Sequence, residues 1–373
     1  MRQLRRGSVL ALVVALAAVI APMAPATGAS HTAVGTITEY PFPTPGGSPS
    51  VAGGPDGNMW FTKGSANQIG RITVPRAHGR FRGQGGGAIH EITVPTPNSE
   101  PSDIVAGPDG AIWFTEFRAS QIGRLDLATG TITEFPIPNS DRFFDIFTQT
   151  FTTSTGPRGI TVGPDGNLWF AQFNASRIGR ITPSGEITQF PTPTPNSRPV
   201  GITAGPDGNV WFTEPVGNKI GRITPDGVIT EFPLPTPMSR PVGITLGLDG
   251  GLWFAEYIGN KIGRIDPATG AITEIVVPTP NSGPNFIEVG PDGALWFTES
   301  LANQIGRLDP ATGAITEFAI PTPGAFPHGI AASTSDIWFT EIEGEALGRV
   351  EVCGENRTRG RLHGVAVCVP AGG

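Results

Sequence analysis

The sequence predicts an all-β fold: a seven-bladed β-propeller of four-stranded blades, with an N-terminal strand closing the last blade. Three observations predict it. All seven tryptophans precede phenylalanine, at Trp60, Trp113, Trp169, Trp211, Trp253, Trp296 and Trp338. An arginine preceded by glycine follows each of them by eleven residues, at Arg71, Arg124, Arg180, Arg222, Arg264, Arg307 and Arg349. Turn residues then cut each interval into four short extended runs. One unit of 42 or 43 residues, written seven times, is the mark of a propeller. The first two intervals, 53 and 56 residues, carry insertions.

The chain opens with Arg2, Arg5 and Arg6, an apolar run from Val9 to Ile20, and small residues up to Ala26 and Ala29. This reads as a signal peptide over 1–29, too short to span a membrane comfortably, with Arg5-Arg6 as a twin-arginine candidate. The expected location is secreted or extracytoplasmic. Ile37-Thr38-Glu39-Tyr40 is a fourth strand with no blade before it, and the last repeat lacks one of its own. The simplest closure of a propeller over 35–350 pairs the two, which removes an open edge.

The repeat from Pro199 to Phe232 shows one blade. Val200–Ala204 alternates as a first strand, and Gly205-Pro206-Asp207-Gly208 is a tight turn. Val210–Glu214 favours a strand, Lys219–Ile223 is the third, and Val228–Phe232 the fourth. Pro233 and Pro235 end the pairing because proline has no N–H to give. Of the insertions, Arg76–Gly87 is basic and glycine-rich and belongs at the end of the blades away from the channel mouth. Asn139–Gly156 belongs at the mouth and carries Phe143, Phe144, Phe147 and Phe151, which suit a lid, an apolar wall or packing on the outer blades.

The tail, 351–373, holds the only two cysteines, Cys353 and Cys368. In an exported chain they are expected to form a disulfide, contributing about 3 kcal/mol, over the closure seam. Composition narrows the partners. Gly 52 and Pro 38 recur at fixed positions and so act as turn punctuation. Charged residues are only 15%, and the net charge of −7 becomes −10 without the leader arginines. No basic stripe exists in the mature region, which argues against nucleic acid. A monomer with a small-molecule or peptide ligand at the channel mouth, and no membrane association after signal cleavage, is the expectation.

Two rings of side chains should converge on the mouth. The first follows the proline that opens strand one: Ser102, Arg158, Val200, Val242, Asn285 and His328. The second stands three residues after each tryptophan: Lys63, Glu116, Gln172, Glu214, Glu256, Glu299 and Glu341. A residue repeated in nearly every blade serves the blade, so the Glu ring is expected to accept backbone N–H bonds and the arginines to join blades. Function lies where repeats differ. His328 is the one histidine of the rings, a candidate general base. Arg158, Asn285, Phe143, Phe144 and Phe147 are candidate ligand contacts.

The phrases Gly205-Pro206-Asp207-Gly208-Asn209-Val210-Trp211-Phe212-Thr213-Glu214, Asn218-Lys219-Ile220-Gly221-Arg222-Ile223-Thr224 and Ile229-Thr230-Glu231-Phe232-Pro233-Leu234-Pro235-Thr236-Pro237 resemble the virginiamycin B lyase (streptogramin B lyase) family. The resemblance covers essentially all of 35–350. It implies a seven-bladed propeller that opens cyclic type B streptogramins by Mg²⁺-assisted elimination at the depsipeptide ester, with a histidine base. His328-Gly329 matches the family's His-Gly, but Phe326 stands at a family Glu, Asn285 at a family His, and Ile342 at another Glu. Glu341 and Glu343 flank Ile342 and are the candidate Mg²⁺ ligands from a shifted register. The lyase expectation has His328 taking the proton alpha to the ester carbonyl. The alternatives are a non-catalytic exported propeller binding a peptide, glycan or small molecule, and, ranked last, a lactone hydrolase.

Overall fold

The Trp-Phe dipeptide explains how the blades are held together. Successive strand residues face opposite sides of a sheet, so the tryptophan of each second strand turns to the next blade and the phenylalanine to the previous one. Trp113 thus shares a buried cluster with Phe170 of the following blade, and Trp211 with Phe254. Trp338 of the last blade packs with Val51, Met59 and Phe61 of the first, which carries the core around the closed ring. Each such aromatic side chain is almost fully buried, contributing roughly 2–3 kcal/mol. Glycine precedes the arginine because the phenylalanine ring lies over it: a Cβ on Gly221 would stand 2.1 Å from Phe212 Cζ.

The computed structural model describes residues 35–74, 87–139, 141, 143–145, 149–353, 357–362 and 365–370. The signal peptide expected over 1–29 and most of the Arg76–Gly87 insertion lie outside them. Within the described residues, seven four-stranded antiparallel sheets form the propeller. Ile37–Pro41 pairs with Ala346–Glu351, Ile37 opposite Val350 and Pro41 opposite Ala346, so the N-terminal strand completes the seventh blade. A hairpin of Phe143–Asp145 and Thr150–Thr152 rises from the second insertion. Another, Arg357–Leu362 with Val365–Pro370, forms the tail. Cys353 and Cys368 are joined by a disulfide, and their backbone N–H groups donate to Ser335 O and Pro291 O, which ties the tail to turns of blades seven and six. No helix among the described residues is long and apolar enough to cross a membrane.

The repeated polar residues serve the blades, by routes different from those expected. The arginines act mainly within their own blade: Arg222 lies over Trp211 at 5.6 Å and 3.8 Å from Asp207, whose carboxylate accepts from Trp211 Nε1 at 3.1 Å. The backbone N–H groups are caught by the glutamates of strand four, not by the ring on strand two. Glu134 Oε1 accepts Thr96 N at 2.9 Å and Oε2 accepts Thr96 Oγ1 at 2.8 Å, across to the preceding blade's Pro-Thr-Pro loop. Glu231, Glu274, Glu317 and Glu39 repeat this with Thr194, Thr236, Thr279 and Thr322.

Candidate functional site

Proline begins most first strands, and the ladder slips one residue just after it. In blade seven Pro327 faces Glu341, but Ile330 already faces Phe339. Such a bulge leaves one residue unpaired and re-aims its side chain; here it is His328. The slip is held by hydroxyls: Thr340 Oγ1 accepts Gly329 N at 2.9 Å, and Thr298 Oγ1 of blade six donates to His328 O at 2.8 Å. The same irregularity follows Pro101, Pro157 and Pro284, so Ser102, Arg158 and Asn285 sit at equivalent places.

His328 and Arg158 line one cavity of about 570 Å³ at the mouth, with Ser102, Phe117, Glu100 and Glu343. They also line a 20 Å³ recess that includes Pro49, Val200 and Phe286. His328 Nδ1 lies 2.7 Å from Pro49 O. A carbonyl only accepts, so Nδ1 carries the proton and Nε2 keeps its lone pair. Burial, and after it the Arg158 charge, push the imidazole down to about 4, outweighing the opposite pull of the Pro49 bond. The ring is therefore neutral at physiological pH. Phe286 packs against it at 4.8 Å between centroids.

Arg158 is held by aromatic rings, its guanidinium carbon 4.9 Å from the centroids of both Phe117 and Phe173. Asn285 does not reach the cavity lining. It is buried and donates to Ser300 Oγ at 3.1 Å, and that hydroxyl donates to Pro327 O at 2.6 Å, so it steadies the backbone before His328. The side chains of Phe143, Phe144 and Phe151, and all of Phe147, lie outside the described residues.

The two candidate metal ligands are not brought together. Glu343 lines the cavity, whereas Glu341 is fully buried in its blade. Burial, followed by repulsion from Glu39, pushes the Glu341 carboxyl up to about 8, so it is protonated at neutral pH. This corrects its placement as a ligand at the mouth. The other glutamates of the second ring behave likewise: Glu116, Glu214, Glu256 and Glu299 are buried, and burial raises their pKa values to about 7 or 8.

Mg²⁺ takes oxygen ligands in near-octahedral geometry. Among the described residues no three His, Cys, Asp or Glu side chains cluster to hold a metal ion. Of the mouth carboxylates, Glu100 pairs with Arg118, and Glu345 accepts Gly46 N at 3.3 Å. The described residues do not fit Mg²⁺. Sequence reasoning missed Pro49 and Phe117, whose roles depend on contacts between blades.

A model of the virginiamycin B lyase family matches residues 76–152 and 150–359. The virginiamycin B lyase of Nocardia farcinica is 32% identical over 144 residues, 39% of this chain and 40% of that protein. That of Streptomyces coelicolor is 40% identical over 108 residues, 29% of this chain and 31% of that protein. The chain thus spans at most about two fifths of the length of these curated relatives. A solved structure covers more: a catalytically inactive His-to-Ala variant of virginiamycin B lyase from Staphylococcus aureus, with quinupristin, is 39% identical with a TM-score of 0.75, covering 85% of this chain and 99% of that one.

Proposed function

This chain belongs to the virginiamycin B lyase family, and from that premise we propose that it opens cyclic depsipeptides by elimination at an ester C–O bond, with His328 as the base. The observation that carries this reading is the imidazole whose Nδ1 proton is committed to Pro49 O, leaving Nε2 unprotonated in a cavity wide enough for a ligand. The inactivity of the His-to-Ala variant of the Staphylococcus aureus relative supports a histidine-dependent reaction.

Balance of the reaction fixes which proton moves. Nε2 takes the hydrogen from the carbon beside the ester-bearing carbon, on the alcohol half of the ester. That C–H pair becomes the C=C bond, the C–O bond breaks, and its electrons leave on the acyl oxygen as a carboxylate. A proton alpha to the ester carbonyl, on the acyl half, does not lead to this product. No water is consumed, so the product is a linear unsaturated peptide of unchanged mass. The disulfide supports action outside the cytoplasm, where disulfides persist.

A second reading is binding without turnover, favoured by Phe326 and Ile342 where the family carries carboxylates. Incubation of the purified protein with a type B streptogramin, with and without Mg²⁺, separates the two. The lyase reading expects an isomer of equal mass with a new ultraviolet-absorbing double bond. Intact substrate at stoichiometric enzyme, with binding still measurable by calorimetry, leaves the second reading standing.

A further inference from the structure

Two residues after the proline that opens strand one, the chain carries Gly159, Gly201, Gly243 and Gly329, but Asp103 in blade two and Phe286 in blade six. Two residues further on it carries Val105, Thr161, Thr203, Thr245 and Ala331, but Glu288 in blade six. Blade six thus breaks the repeat twice, and both breaks face the axis of the ring. Function lies where repeats differ.

Phe286 divides the axis. It packs on the His328 imidazole, 4.8 Å between centroids, and lines the 20 Å³ recess beneath the mouth. It also lines a second cavity of about 420 Å³ on the far side of that recess. The recess has space for about one water, so nothing larger passes from the mouth to the second cavity. The second cavity opens at the opposite end of the blades, where first strands end at Gly53, Ala106 and Ala332 and Gly53 is exposed. Its volume is that of a small-molecule site, and its walls are mainly isoleucine, valine, alanine and glycine.

Glu288 is the poorly satisfied charge of this cavity. Its Oε1 accepts from Val289 N at 3.1 Å and, at the long limit of a hydrogen bond, from Thr245 Oγ1 at 3.5 Å. Its Oε2 meets no donor among the described residues. Burial pushes the carboxyl up to about 7. A half-satisfied buried carboxyl costs the fold stability, and five other blades do without it. Thr203 and Thr161 extend the lining with two more hydroxyls. Asp103, the other ionisable side chain of the lining, is already held by Ser50 Oγ and the N–H groups of Ile104 and Ile160.

We propose that this cavity is a second binding site, for a primary ammonium group carried on a short apolar chain. Glu288 takes the charge, the threonine hydroxyls accept the remaining ammonium N–H bonds, and the aliphatic walls cover the chain. The lining disfavours a metal ion, because hard cations take several oxygen ligands and no three His, Cys, Asp or Glu side chains cluster among the described residues. The site stands apart from the lyase reading: it lies beyond the Phe286 barrier from His328 and needs no turnover.

The test titrates n-butylammonium, uncharged n-butanol and calcium chloride calorimetrically into the full chain at pH 7, and into Glu288→Gln, Glu288→Thr and Glu343→Gln. The wild-type chain is expected to bind the ammonium roughly tenfold more tightly than the alcohol, the worth of one hydrogen bond to a charged group. Seating the cation ionises Glu288, so binding should release protons, read as a heat that changes with the ionisation enthalpy of the buffer. Both Glu288 variants are expected to lose the preference and the proton release. Glu288→Thr copies blades three to five and should melt no lower than wild type, which separates loss of the site from loss of folding. Glu343→Gln removes an acidic side chain of the mouth and should leave ammonium binding unchanged. Equal affinity for ammonium and alcohol, no saturable heat from either, or a preference that survives Glu288→Gln overturns the proposal. So does a preference lost in Glu343→Gln, which puts the cation at the mouth. Calcium binding that is tighter than the ammonium's and needs Glu288 overturns it in favour of a metal site.

Discussion

His328 Nδ1 lies 2.7 Å from the Pro49 carbonyl oxygen, although 279 residues separate them in sequence. Ring closure makes the contact: blade seven meets blade one, and Gly329 lets the strands approach. A Cβ at 329 would stand 2.7 Å from Ser50 Cα and 2.8 Å from Pro49 O, both backbone atoms with little room to yield. Gly329→Ala is therefore expected to force the blades apart, costing about 1–3 kcal/mol, and to break the bond that sets the tautomer. The check is a lower melting temperature together with an altered His328 imidazole spectrum; an unchanged spectrum refutes the coupling.

His328 also sets a pH dependence. Its folded pKa is depressed, from 6.5 to about 4. The unfolded chain takes up a proton below about 6.5 while the folded chain refuses it, so this group costs stability as pH falls from 6.5 towards 4. His328→Gln removes that slope. Melting temperatures of the two proteins should converge on acidification from pH 7 to 4.5, and a constant gap contradicts the assignment.

In blade one, lysine replaces the buried acid of the second ring. Lys63 Nζ is fully buried and lies 2.7 Å from Glu91 Oε1. Lys63→Ala leaves Glu91 without its cationic partner, with Thr44 Oγ1 still donating to it, and is expected to cost roughly 3–5 kcal/mol. Blade three carries Gln172 and Gln189 at the corresponding places, so the double change Lys63→Gln with Glu91→Gln should recover most of the loss. Chemical denaturation of the single and double variants measures both.

These pairs show where sequence reading stopped. The tryptophan register shows the blade count, the closing strand and the two rings of side chains, because each is a periodic property of one chain direction; the bulge after the opening proline appears only in the structure. It also brought out His328 and Arg158, since they break the repeat. The pairing of a second-ring residue with strand four of the same blade, as Lys63 with Glu91, is not a periodic property, although the residues at these two places change together in blades one and three. Glu341 was misplaced at the mouth for the same reason: its partner Glu39 arrives from the other end of the chain. The grip of Pro49 on His328 was beyond reach of periodicity, because it exists only once the ring is closed.

Glu341 gives the opposite pH slope. Burial raises its pKa from 4.5 to about 8, so the folded chain holds a proton that the unfolded chain has lost. Its stabilising effect is complete below about pH 4.5 and is lost as pH rises through 8. Glu341→Gln keeps the shape without the titration, as Gln172 does in blade three. It is expected to raise the melting temperature at pH 8.5 by roughly 1–3 °C and to leave it nearly unchanged at pH 5. A gain of equal size at both values sinks the assignment.

The last prediction rebuilds what the mouth lacks. Phe326 and Ile342 stand where the family resemblance implies glutamates, and Ile342 lines the cavity with His328 and Glu343. Backbone geometry admits a glutamate at 326: the position has φ 54, and Glu100 holds φ 58 at the equivalent place in blade two. Phe326→Glu with Ile342→Glu adds two carboxylates to a mouth that already presents Glu343, the oxygen-rich set Mg²⁺ requires. The double variant is expected to bind Mg²⁺ calorimetrically where the wild-type chain shows no saturable heat, and to melt higher with Mg²⁺ than with chelator. If its streptogramin turnover also becomes chelator-sensitive, the two substitutions account for the difference between this mouth and a metal-assisted one. A double variant that folds but ignores Mg²⁺ shows that the ring geometry around His328, and not only its side chains, has departed from a metal site.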